Sequence, residues 1–174
     1  MKSTLEIVNR MRSEGIIADY AIGGAVAATF YLEPSATVDL DIFVLLPSAP
    51  GSSLLSLAPI YDYLKLQGCS AEGEHILIGD WPVQFLPANT PLEEEALAQA
   101  VATEIEGVPT HVMKAEHLVA IALRTGRSKD YARIMQFHEQ GMVNTDKLQS
   151  VLKAHGLESK WQAFKHRFLE RAND

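Results

Sequence analysis

Two aspartates, Asp39 and Asp41, stand two residues apart in the apolar, β-branched stretch TVDLDIFVLL, residues 37–46. A glycine pair, Gly23-Gly24, closes the short apolar run ADYAI a little upstream. Side chains alternate along a strand, so the two aspartates share one face while Val38, Leu40 and Ile42 take the other. Their β-carbons then lie about 6.5–7 Å apart, two steps of the ~3.3 Å strand rise. Carboxylates that close repel, and without a counter-charge one of them must take up a proton. A divalent cation removes the difficulty, and hard ions such as Mg²⁺ (or Mn²⁺) favour carboxylate oxygens together with phosphates. A glycine turn between strand and helix lets backbone approach a ligand closely. The helix start beyond it offers N–H groups and partial positive charge to phosphate. Metal pair and phosphate cradle together point to metal-assisted phosphoryl or nucleotidyl transfer. Alone, each has an ordinary explanation, since glycine pairs mark turns and edge aspartates face water or pair with arginine. The specific signal is their order: strand, GG, helix, strand carrying DxD.

The pattern around them supplies an α/β (α+β) frame. Residues 3–14 predict an amphipathic helix ended by Gly15, and ADYAI a strand up to Ile22. AVAATFYL is helix-compatible and stopped by Pro34, and TVDLDIFVLL is the strongest strand signal in the chain. APGSS (49–53) reads as a loop. LLSLAPIYDYLKLQG reads as a helix ending at Gly68, with Pro59 marking a kink or a later start. EHILIGDWPVQFL predicts a hairpin around Gly79-Asp80, Thr90 with Glu93 a capping box opening a helix over 91–102, and GVPTHVMK a further strand. From residue 115 onward the pattern is helical only. AEHLVAIALRTG ends at Gly126, Ser128 and Thr145 are placed to cap the next two helices, and Glu158 to Arg171 puts Trp161, Phe164 and Phe168 on one face. The expectation is a mixed sheet flanked by helices over residues 1–113, with a helical subdomain over 114–174 packed on that core.

Bulk composition narrows the partners. The chain has 174 residues, 47% of them hydrophobic, a normal proportion for one globular unit. No apolar run approaches the ~20 residues of a membrane helix, and the N-terminal stretch lacks the apolar core of a signal peptide. With Cys69 as the single cysteine, no disulfide forms within the chain and a cytoplasmic location is expected. The formal charge of −7 argues against non-specific DNA binding but leaves small nucleotides open, because a metal supplies positive charge locally.

The stretch IGGAVAATF…TVDLDIFV resembles the nucleotidyltransferase superfamily of the DNA polymerase β type. Among its branches it is most like small bacterial proteins related to abortive-infection and type IV toxin–antitoxin nucleotidyltransferases. The resemblance implies that Gly23 and Gly24 form the turn over the phosphates of a nucleoside triphosphate, and that Asp39 and Asp41 hold its Mg²⁺. Thr37 matches a threonine common two residues before the first aspartate. In MKAEHLVAIALRTGRSKDYARI, the residues Lys129, Asp130 and Arg133 match a K-D-x-x-R/D pattern expected to face the nucleotide. The acceptor implied is a hydroxyl on a small molecule, protein or RNA end, and an antitoxin-like protein is a further implied partner. The resemblance spans most of residues 5–137.

Two departures stand out. The superfamily's third carboxylate, a metal ligand and general base, belongs on the strand WPVQFL, where this chain has Gln84. A glutamine oxygen can ligate a metal but carries no charge and takes no proton at pH 7. Asp80 and Glu74 are the nearby carboxylates that could substitute. Related proteins also carry an arginine two before the threonine, and here that residue is Ser35. Arg124, Arg127, Lys129 and Arg133 are the basic cluster able to supply the missing phosphate contacts.

Other chemistries find no support. The six histidines show no metal-ligand spacing, so structural zinc is not expected. His111 and His117 read as surface or capping residues, GSSLL is no nucleophile elbow, and Cys69 reads as packing. The run EEE at 93–95 reads as the solvated first turn of a helix. Three functions follow: a nucleotidyltransferase; an impaired relative that keeps the cleft for nucleotide sensing or partner docking; or a structural protein whose aspartates are held by C-terminal arginines or lysines.

Overall fold

The computed structural model describes residues 1–33, 39–47 and 56–170. Thr37 and Ser35, the loop 49–53, and Arg171 lie outside the described residues. The elements run α1 (Lys2–Ser13), β1 (Asp19–Ile22), α2 (Gly24–Ala28), β2 (Leu40–Leu45), α3 (Ala58–Leu66), β3 (Ser70–Glu72), β4 (His75–Ile78) and β5 (Trp81–Pro87). They continue with α4 (Pro91–Ala98), β6 (Val101–Ile105), β7 (Val108–Val112), α5 (Ala115–Thr125), α6 (Ser128–Glu139), α7 (Thr145–Ala154) and α8 (Glu158–Phe168).

The strands form one mixed, seven-stranded sheet in the order β3-β4-β5-β2-β1-β7-β6. β2 pairs in parallel with β5 and β1 with β7, while the other neighbours are antiparallel. One face of β2, made by Leu40, Ile42 and Val44, is fully buried. α1 lies across the sheet through Leu5, Val8 and Met11, whose three-residue spacing puts them on one stripe. Two polar ties fix its ends. Thr4 Oγ1 donates to the Ile78 carbonyl at 2.9 Å, and Asn9 Nδ2 donates to the Pro109 carbonyl at 2.8 Å. The opposite face of β1 and β2, with Ala21, Asp41 and Phe43, is the one turned toward α2, α4 and α5. α6 packs on α5, and α7 and α8 pack behind them.

The central frame matches the sequence expectation, and the differences have local causes. α3 begins at Ala58 with Pro59 in its first turn, the position where a missing N–H costs nothing. β3 is an addition: Ser70–Glu72 is exposed and polar, and it reverses at Gly73 (φ +63°) to pair with β4. The helix expected over 91–102 stops at Ala98, because β-branched Val101–Ile105 pairs instead with β7. Glu106 and Gly107 close that hairpin, both with positive φ, as a two-residue turn of matching twist requires. Ser128 and Thr145 are first helical residues rather than caps. At α6 the job falls to Asp130, which accepts from the Arg127 backbone N–H at 3.1 Å; at α7 the Asn144 side chain accepts from the Lys147 N–H at 3.0 Å.

Candidate functional site

The glycine turn and the aspartate strand meet directly. Gly23 N–H donates to the Asp41 carbonyl at 2.9 Å, extending the β1–β2 ladder one step past Ile22. A Cβ added at Gly23 would stand 2.7 Å from Phe43 Cδ2, and only glycine allows that approach. Gly24 opens α2 with φ +58°, a left-handed conformation that costs other residues. A Cβ there would overlap Asp41 Oδ2 and lie 2.7 Å from its Cγ. The backbone of the turn therefore rests on the carboxylate itself. Since α2 is only five residues long, the positive charge for an anion must come largely from elsewhere.

It comes from α6. A cleft of about 330 Å³ opens over this face of the sheet, with Gly24, Asp39, Asp41, Phe43, Gln84 and Leu86 as its floor. Across it stand Arg127, Lys129, Asp130 and Arg133, with Leu118 and Ile121 of α5 beside them. Asp41 is shifted up from the usual carboxylate range, first by burial and then by Asp39, against the opposing pull of Arg133, Lys129 and Arg127. Asp39 directly precedes β2, and its Oδ2 is 3.6 Å from His75 Nε2. Gln84 is in register with Asp41 on the parallel neighbour β5, so its side chain shares the cleft face beside the pair. This is the position where the family resemblance expects a third carboxylate. Neither Asp80 nor Glu74 lines the cleft; both are exposed.

The basic cluster divides. Arg127 is tied to buried Asp130, donating from Nε at 2.8 Å and Nη2 at 3.2 Å, and these bonds hold its guanidinium more firmly charged, helped by Asp41 and Asp39. Arg124 is drawn away to Thr90 Oγ1 and Glu93 Oε1, clasping α4 to α5. Lys129 and Arg133 are the cations in the cleft without an ion pair among the described residues.

The run EEE is therefore more than a solvated turn. Glu93 is 8% exposed, paired to Arg124, and its Oε2 accepts from the Asn89 backbone at 3.1 Å. Glu95 bridges two imidazoles, His117 Nε2 at 3.1 Å and His155 Nε2 at 2.8 Å. The hydrogen bond from His117 is the main reason its carboxyl sits below the usual range. His117 is buried, not a surface residue, and this clasp joins α4, α5 and α7 outside the cleft. Residues so far apart in sequence gave no local pattern. The position of His75 beside Asp39 was equally silent, since it depends on the β4–β5 register.

The donor set suits a hard cation: two carboxylates and an amide oxygen, with room left for water and phosphate. Among the described residues no three His, Cys, Asp or Glu side chains group to hold a metal by themselves. Nor is any helix among them long and apolar enough to cross a membrane.

No family model and no curated protein matches the sequence. Solved structures do match the fold. The solution structure of the antibiotic-resistance factor ANT(2'')-Ia superposes with a TM-score of 0.51 at 17% identity, over 95% of this chain and 96% of that one. The crystal structure of an antigenic nucleotidyltransferase-like protein from Paracoccidioides brasiliensis superposes with a TM-score of 0.51 at 15% identity, over 93% and 90%. The chain has a nucleotidyltransferase-type α+β fold.

Proposed function

We propose that this protein is a metal-dependent nucleotidyltransferase that binds a nucleoside triphosphate in the Asp39–Asp41 cleft and transfers its nucleotidyl group to a hydroxyl acceptor. One juxtaposition carries the reading: the Gly24 backbone lies against the Asp41 carboxylate, opposite Lys129 and Arg133 in one cleft. Asp39 and Asp41, with Gln84 Oε1, would hold Mg²⁺ or Mn²⁺, which neutralises phosphate charge and orients the leaving group when bound. The triphosphate would lie between the glycine turn and α6, with Lys129 and Arg133 on its oxygens. The acceptor oxygen bonds to the α-phosphorus, the bond from that phosphorus to the bridging oxygen breaks, and pyrophosphate leaves. Gln84 cannot take the hydroxyl proton. Asp130 and Glu93, the other carboxylates of the cleft besides the metal pair, are engaged by Arg127 and Arg124, so the hydroxyl proton would pass to solvent water as the bond to phosphorus forms. In this reading residues 1–113 form the catalytic core, residues 114–174 supply the cationic wall, and the protein works in the cytoplasm with Cys69 reduced.

Gln84 supports a second reading, a catalytically impaired relative that uses the same cleft to bind a nucleotide or to dock an antitoxin-like protein. Calorimetric titration with each of the four NTPs, with Mg²⁺, Mn²⁺ or neither, tests what the two readings share. Metal-dependent binding that disappears in Asp39→Asn/Asp41→Asn supports them. Binding that ignores metal and both substitutions contradicts them.

A further inference from the structure

The C-terminal helices line a second, solvent-open pocket of about 290 Å³ that shares no lining residue with the cleft. Its walls are Val119 of α5, Ile134 and Phe137 of α6, Leu148 of α7 and Trp161 of α8, all buried. Trp161 is braced by Phe164, stacked at 5.5 Å and 11°. The polar lining is one-sided. Lys165, half-buried, contributes to it together with Thr145, Gln149 and exposed His138, while no carboxylate does. Lys165 has no ion pair among the described residues. In a chain of net charge −7 this asymmetry is against the average surface. An apolar volume with one convergent cation is the usual form of a site for a small amphipathic anion, and this volume falls at the small end of ligand pockets.

We propose that this cavity binds a small carboxylate with an aromatic or branched aliphatic body. The body lies among Phe137, Leu148 and Trp161, and the carboxylate pairs with Lys165. Burial of the body supplies the non-directional part of the affinity, and the charge-assisted bond to Nζ fixes orientation and excludes the neutral analogue. Nothing in this depends on the chemistry at Asp39 and Asp41.

The test uses the full chain in a Trp81→Phe background, leaving Trp161 as the single tryptophan, excited selectively at 295 nm, to the red of tyrosine absorption. Two probes with one body are titrated: 3-phenylpropionate and its alcohol, 3-phenyl-1-propanol. The acid is expected to change Trp161 emission saturably and to bind about tenfold or more tightly than the alcohol, the usual worth of a bond to a charged group. Lys165→Met should bring the acid down to the level of the alcohol. Val143→Phe, at the half-buried rim of the cavity, should weaken both probes while the fold, followed by circular dichroism, is retained. Equal affinity for acid and alcohol, indifference to Lys165→Met, or no saturable response to the acid up to millimolar concentration would each overturn the proposal.

Discussion

Gly24→Ala probes the contact on which the cleft is built. The methyl group would meet Asp41 at Oδ2, at Cγ (2.7 Å) and at Cβ (2.9 Å), in a backbone with φ +58°. The left-handed conformation alone costs a non-glycine residue about 1–2 kcal/mol. Forcing the Asp41 side chain aside adds about 1–3 kcal/mol, the usual cost of overpacking. The sum, roughly 2–5 kcal/mol, should appear as a lower midpoint in urea with an unchanged m-value. The background Asp41→Gly removes all three contacting atoms, and its own cost cancels in the cycle. There Gly24→Ala should cost only the backbone share, about 1–2 kcal/mol. The difference between the two backgrounds is the coupling of turn and carboxylate. If Gly24→Ala costs the same in both, the turn does not rest on Asp41, and the reasoning that joins the two halves of the site fails.

Asp41→Asn should stabilise the metal-free protein by about 0.5–2 kcal/mol at pH 7, as replacement of strained site residues does. The sign follows from a carboxyl raised by burial: its penalty is full above the folded-state pKa and gone below the unfolded one, so the gain should vanish as pH falls through the carboxylate range in thermal melts. Gln84→Asp restores a proton acceptor beside Asp41, and pyrophosphate release should rise about a hundredfold, the lower end of general-base contributions; no rise would place the proton transfer elsewhere. Glu95→Ala leaves buried His117 and partly buried His155 without their carboxylate and should cost about 1–3 kcal/mol at pH 7. Glu95 is held below its ordinary value, so its contribution is present above the unfolded pKa and lost as pH falls through the folded one. Wild type and variant should converge at acid pH.

The sheet and the aspartate pair were legible because both obey short-range rules. Extended-chain alternation puts Asp41 of β2, and Asp39 just before it, on the cleft, and glycine marks the turn wherever a Cβ cannot fit. Gln84 was singled out by the family resemblance and not by the strand pattern alone; the parallel register puts it beside Asp41. The partners of the charged residues were not legible. Arg124 and Glu93 are 31 residues apart, and Glu95 and His155 are 60 apart; only the packing of α4 on α5 and α7 brings them together. The helix caps were misplaced by one residue because Asp130, at the third helical position, does from inside the helix what Ser128 was expected to do from its edge. At β6 the acidic capping signal of α4 masked a short β-branched run whose pairing depends on the turn at Glu106-Gly107.

The central claim is that Asp39 and Asp41 bind a metal together with a nucleoside triphosphate. Electron paramagnetic resonance of Mn²⁺ measures this directly, because bound ion loses the six-line signal of free ion. Titrated with a non-hydrolysable triphosphate present, wild type should deplete the free signal by about one ion per chain beyond what the nucleotide alone sequesters. Asp39→Asn/Asp41→Asn should deplete none beyond that background. Equal depletion by both proteins would mean that the aspartates are not the metal site, and the proposed activity would lose its footing.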